Sequence, residues 1–223
     1  MSAPINPDAF DSFMPTSLLR GSGERRVSDR DSEWIGFVAG TRVATPMGYV
    51  AVELLSAGDL VLTADGRHAR LLWVGTTVAE MTAETAPVRF EIGTMDNMRP
   101  LRLGQGHRIR VSGWRAELLF DADAVLATAG SFVNGSDVTL EKSSDPVTFV
   151  HLMFDRHEIV LAENVPCETL APDPEVVDRL DDITRRAARD ALSQTVEAGA
   201  AKGVDHAALP LLSEAEARVL LAA

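Results

Sequence analysis

Between residues 34 and 170 the apolar positions come in short runs, and turn residues break them at close intervals. Pro87-Val88-Arg89-Phe90-Glu91-Ile92 alternates apolar with polar, as do Leu101-Arg102-Leu103 and Arg108-Ile109-Arg110-Val111. Period two is the pattern of a strand with one buried face. Further short strands are expected over Ala69–Val74, Ala116–Phe120, Val125–Thr128, Val138–Glu141, Val147–Phe154 and Glu158–Ala162. Gly75 to Ala86 reads as a polar connection. Turns are signalled by Pro46-Met47-Gly48, Ser56-Ala57-Gly58-Asp59, Asp65-Gly66 and Asn134-Gly135, where proline presets φ or glycine accepts a positive one. Many short strands with turns this frequent predict an all-β sandwich or barrel-like domain rather than βαβ units.

The pattern changes after Pro172-Asp173-Pro174. Val176, Val177, Leu180, Ile183, Ala187, Ala191 and Leu192 recur at helical spacing among charged residues, so residues 171–223 are expected to form a helical C-terminal tail. Asp173 before Pro174 suits an N-cap with proline at the first helical position, and Gly203 a stop. Ser213 and Glu216 have the spacing of a capping box at the start of a second short helix. At the other end, residues 1–33 are rich in Ser, Pro, Asp, Arg and Gly and predict a flexible leader, with Phe10, Phe13 and Met14 as one patch able to dock.

Composition narrows the function classes. The 223 residues carry a net charge of −12, which argues against non-specific binding to nucleic acid or anionic lipid. Aromatic residues make up only 5%, so the core rests on Val, Leu, Ile and Ala. Cys167, the single cysteine, can form no internal disulfide and no Cys-based zinc site, and is expected to be a small packing residue. There is no Sec-type signal in the leader and no run of about 18 apolar residues, so a cytoplasmic location is the default, with non-Sec export open.

The stretch Phe37-Val38-Ala39-Gly40-Thr41, then Thr45-Pro46-Met47-Gly48, Val52-Glu53-Leu54-Leu55 and Gly58-Asp59-Leu60-Val61 resembles the opening of a Hint (Hedgehog/intein) domain of the bacterial type. The run His151 to Asn164 is similar to that family's late hairpin. The resemblance implies a β horseshoe over residues 34–170 and an autoprocessing chemistry. In that chemistry a Cys or Ser opening the module attacks the peptide bond before it, converting the amide to an ester-type bond. The matching position here is Gly36, which has no side chain. The resemblance further implies that His107 polarises that bond and protonates its leaving nitrogen. The hydroxyl residue usual three places earlier is Gly104.

Asp155 and His157 are an acid/base pair or, alternatively, members of an inter-strand turn with Asp155 bonding its own backbone. His107, His151 and His157 together could only bind a metal if the fold gathered them, and no metal or other cofactor is expected. Asn164 is followed by Val165 rather than Cys, Ser or Thr, so no splicing junction is present there. Two functional readings stand. One is a degenerate Hint scaffold that binds or positions something, with the leader or C-terminal helix as the contact to a protein partner. The other is an active domain whose substrate is its own chain, cut just before Gly36.

Overall fold

The computed structural model describes residues 34–197 and 209–221; the leader expected over 1–33 and the stop at Gly203 lie outside them. The strands are β1 (Phe37–Val38), β2 (Arg42–Thr45), β3 (Gly48–Ala51), β4 (Leu60–Leu62), β5 (His68–Ala79), β6 (Val88–Phe90) and β7 (Leu101–Leu103). They continue as β8 (Arg108–Ser112), β9 (Ala124–Thr128), β10 (Val138–Leu140), β11 (Val147–Phe154), β12 (Ile159–Ala162) and β13 (Val165–Glu168). The helices are α1 (Trp114–Phe120), α2 (Pro174–Val177), α3 (Asp182–Glu197) and α4 (Glu214–Leu221).

Two antiparallel sheets result. One has the order β10-β6-β7-β1-β11-β5-β4 and the other β3-β2-β12-β13-β8-β9. The alternating strands β6 and β7 bury Val88, Phe90, Leu101 and Leu103 and leave Arg89 and Arg102 half-buried, as their period-two pattern requires. Strand β11 is different: seven of its eight residues are buried, because it runs between β1 and β5 and is covered on both faces. Valine and leucine from both sheets, with Phe37, Phe90 and Phe154, make the main core.

Three local expectations fail for identifiable reasons. Ala116–Phe120, expected as a strand, belongs to helix α1. Trp-Arg-Ala-Glu-Leu-Leu-Phe is too short for its period to decide, and its good helix formers win. The polar connection expected from Gly75 is strand as far as Ala79, paired with β11 from Ala79↔Val147 onward. Glycine here is a packing device, since a Cβ at Gly75 would lie 2.1 Å from the Trp73 ring. Finally, the helical pattern after Pro174 is split. Asp173 caps α2 by accepting from Glu175 N at 2.8 Å, and Asp181 restarts the chain as α3, accepting from Ile183 N and Thr184 N at 3.2 and 3.1 Å. The Ser213–Glu216 capping box forms as expected, with Ser213 N donating to Glu216 Oε2 at 2.8 Å.

The tail is not detached. Val177, Leu180 and Ala188 are buried with Met153 and Leu170, and Ile35 packs against the same cluster. Pro210 and Leu212 bond Leu126 on β9, covering that edge of the second sheet.

Candidate functional site

Strand β1 lies in the middle of the first sheet, with Phe37 opposite Leu103 on one side and Val150 on the other. The residues before it continue the same line past the end of β7. Gly104 N donates to Gly36 O at 3.0 Å, and Gly106 N donates to Trp34 O at 2.9 Å. The Trp34–Gly36 segment is thus held as an extra piece of strand. That approach is possible only because residue 104 is glycine: a Cβ there would sit 2.4 Å from the Trp34 carbonyl oxygen.

The turn after Gly104 is closed by hydrogen bonds. His107 N donates to Gly104 O at 3.0 Å, and the Gln105 side-chain amide donates to the carbonyls of Ala83, Glu84 and Ala86. This turn aims His107 inward. Its Nδ1 accepts the Gly36 N–H at 3.1 Å, and its ring stands edge-on to Phe37 with centroids 4.5 Å apart. An Nδ1 that accepts leaves the proton on Nε2, and Nε2 is buried with no partner among the described residues. Burial pushes the His107 imidazole down to about 3, with the facing charge of Glu168 only partly opposing it. The ring is neutral at pH 7 and grips the amide that precedes Phe37.

A second imidazole closes the other side. Gly36 has φ +125°, a conformation that side chains rarely adopt, and a Cβ on it would meet His151 Cε1 at 3.1 Å and Nδ1 at 3.2 Å. His151 projects from β11. Its Nε2 lies 3.1 Å from Thr77 Oγ1, whose hydroxyl donates to Asp181 Oδ2 at 2.6 Å. Burial lowers the His151 imidazole to about 4. Burial alone would raise the Asp181 carboxyl, but the bonds from Thr184 and Thr77 outweigh it and hold it at about 2. Gly36 therefore sits between two neutral imidazoles, in a peptide held by backbone on its other side.

A family model for the Hint domain matches residues 35–174 of the chain. The chain belongs to the Hint-domain family. Among solved structures it is similar to a bacterial intein-like domain from Clostridium thermocellum, 23% identical, with 60% of this chain and 97% of that one covered at a TM-score of 0.43. It is similar also to a splice-inactive variant of the AceL NrdHF class 3 split intein, 16% identical over 61% of this chain and 97% of the other, TM-score 0.43. The MchDnaB-1 intein is 19% identical over 58% and 98%, TM-score 0.37. No curated protein matches the chain. Mostly antiparallel β structure with a helical C-terminal extension is the fold expected of this Hint domain from its sequence.

The other residues singled out in the sequence lie apart from Gly36 in their bonding. His157 Nε2 is 2.9 Å from Glu168 Oε1, and Asp155, exposed, lies 4.0 Å from Arg156 Nε. Glu168 also takes Arg108 Nη1 at 3.2 Å. Cys167 is buried in β13, and burial pushes its thiol well up, away from thiolate chemistry. Asn164 forms the β12–β13 turn with Glu163, both at positive φ, and donates to Asp96 O at 3.2 Å. Among the described residues no group of three His, Cys, Asp or Glu side chains is arranged to hold a metal. No helix among them is long and apolar enough to cross a membrane.

Sequence reasoning weighed His151 only as a metal ligand. An imidazole inside the mostly apolar, buried run Phe149–Phe154 is the signal that marks it. Thr77 and Asp181 carry no local signal; only the fold brings them to the site.

Proposed function

We propose that this Hint domain is a degenerate member of its family: a scaffold that keeps its own chain uncut and holds the Trp34–Gly36 segment in place. The observation that carries the reading is Gly36 itself. It has no side chain to attack with, and its φ of +125° and the nearby His151 ring suit glycine rather than any nucleophilic residue. Gly104 supports the same reading, since the backbone of Trp34 occupies the space that a hydroxyl-bearing side chain would need. What the family uses for cutting serves here as a clasp. It joins whatever precedes residue 34 to the β domain, and the leader or α3 is the contact to a protein partner. A cytoplasmic location goes with this reading, or export by a route other than Sec.

The second reading, cleavage just before Gly36, is favoured by one contact: His107 Nδ1 on the Gly36 amide nitrogen. It needs water as the nucleophile, which lacks the effective molarity of an attached side chain. Intact mass of the 223-residue chain, followed over days with and without thiol or hydroxylamine, separates the two. The expected outcome is one unchanged full-length mass; a fragment beginning at Gly36 would refute the scaffold.

A further inference from the structure

The Hint match ends at residue 174, yet a residue beyond it reaches the site. Asp181 Oδ1 caps α3 by accepting from Ile183 N and Thr184 N, while Oδ2 accepts the Thr77 hydroxyl. An ionised carboxylate has no proton to give, so the single hydroxyl proton of Thr77 is committed to Asp181. Toward His151 the hydroxyl oxygen can then only accept, and the 3.1 Å contact requires Nε2–H on the imidazole. His151 Nδ1 is left with its lone pair, on the ring edge that faces the Cβ position of residue 36. Thr184 Oγ1 bonds Thr76 O at 3.0 Å and ties the start of α3 to the same strand, so the chain of bonds has a fixed frame.

From this we infer that the helical tail is part of the site, with Asp181 and Thr77 as positioning residues that dictate which nitrogen of His151 carries the proton. The direction of the whole chain is set at its outer end, by a carboxylate that can only accept. This holds whether the domain cuts its chain or only clasps it, because it concerns the resting state of the ring.

The inference has an unusual test, because one substitution reverses the chain without removing the cap. In Asp181→Asn the carbonyl oxygen must face the two α3 amides, since the alternative sets an NH2 group against two N–H donors. The NH2 group then faces Thr77 and donates to it. The Thr77 hydroxyl must turn to donate to His151 Nε2, and the imidazole proton moves to Nδ1. Imidazole nitrogen chemical shifts of the full-length chain, with histidine isotope-labelled, read this directly. The expected result is Nε2–H on His151 in the unaltered protein, and in Asp181→Asn a change in the Nδ1–H to Nε2–H ratio of at least about ten-fold. Amide exchange at Ile183 and Thr184 should be unchanged. An unaltered tautomer with those amides still protected would overturn the inference, as would Nδ1–H in the unaltered protein. Should α3 fray in Asp181→Asn, Thr77→Val decides the matter. It leaves the cap in place and removes the acceptor, so the Nε2–H preference should weaken and Thr77→Ser should restore it. A tautomer indifferent to residue 77 would overturn the inference.

Discussion

The centre around Gly36 and the buried carboxylates along the β12–β13 hairpin are handled by opposite means. At Gly36 two buried imidazoles stay neutral, one on a backbone amide and one on a hydroxyl, and no charge touches the peptide. Along the hairpin, from its turn to its open end, the buried carboxylates Glu163, Glu158 and Glu168 each meet an arginine. Glu163 is bound by Arg42, Glu158 by Arg67 and Arg156, and Glu168 by Arg108. The lesson is that ionisable residues in one small fold divide by task. Where charge secures the fold, opposite charges meet directly. Around Gly36, where the two imidazoles converge, the groups are desolvated and oriented instead.

Acid should break the first region long before the second. The folded imidazoles of His107 and His151, at about 3 and about 4, lie below the ordinary 6.5. Their contribution to stability is therefore complete above about pH 6.5 and lost as the pH falls, because the unfolded chain takes up protons that the folded chain refuses. At about 1.4 kcal/mol per pH unit for each ring, lowering the pH from 6.5 to about 5 should cost roughly 4 kcal/mol in all. The urea midpoint should drop steeply over that range. Replacing His107 with Gln should halve the slope. The ion-paired region responds later: Asp65, held at about 2 by its bonds to Thr63 and Arg67, loses its contribution only below about 3.8.

A side chain forced into the clasp should rank next. Gly104→Thr puts a Cβ 2.4 Å from the Trp34 carbonyl, where the obstacle is backbone and cannot rotate away. Overpacking of this kind should cost about 3 kcal/mol, or else release Trp34–Gly36 from the sheet. Hydrogen exchange at Gly36 and Gly106 tells these outcomes apart from a merely stiffer turn. Protection retained at both amides would mean that the segment is held by something other than the Gly104 approach.

How much of this was readable beforehand follows the range of the signal. Strand β11 was legible to the residue, because a mostly apolar, β-branched and aromatic run bounded by Pro146 and Asp155 leaves few alternatives. Helix α1 was not, because a single turn or two of Trp, Leu and Phe satisfies both periods and only its packing beside β8 and β9 decides. Of the site, Gly36 and His107 could be named from motif resemblance. Thr77 and Asp181 could not. They are 104 residues apart and meet His151 only through the long-range pairing of β5 with β11 and the return of the tail against that pair. Asp155 and His157 could be read either as an acid/base pair or as turn residues, and sequence neighbourhood alone does not show that His157 comes to lie beside Glu168 on the adjacent strand.

The smallest expected effect probes the charged region from within. Glu163 sits at φ +46° in the β12–β13 turn, almost fully buried, and accepts from Arg42 N at 2.9 Å as well as from the guanidinium. Glu163→Gln keeps an oxygen for the backbone N–H but removes the charge. Arg42 is 30% exposed and can turn to water, so the loss should be only about 1 kcal/mol, far below the several expected when a buried charge is stranded. A double-mutant cycle with Arg42→Gln isolates the pair, and the coupling should shrink in high salt only slightly because one partner is sheltered from ions. A coupling near zero would mean that the backbone bond, not the charge, holds this turn. The contrast with the neutral centre would then reduce to one of hydrogen bonding alone.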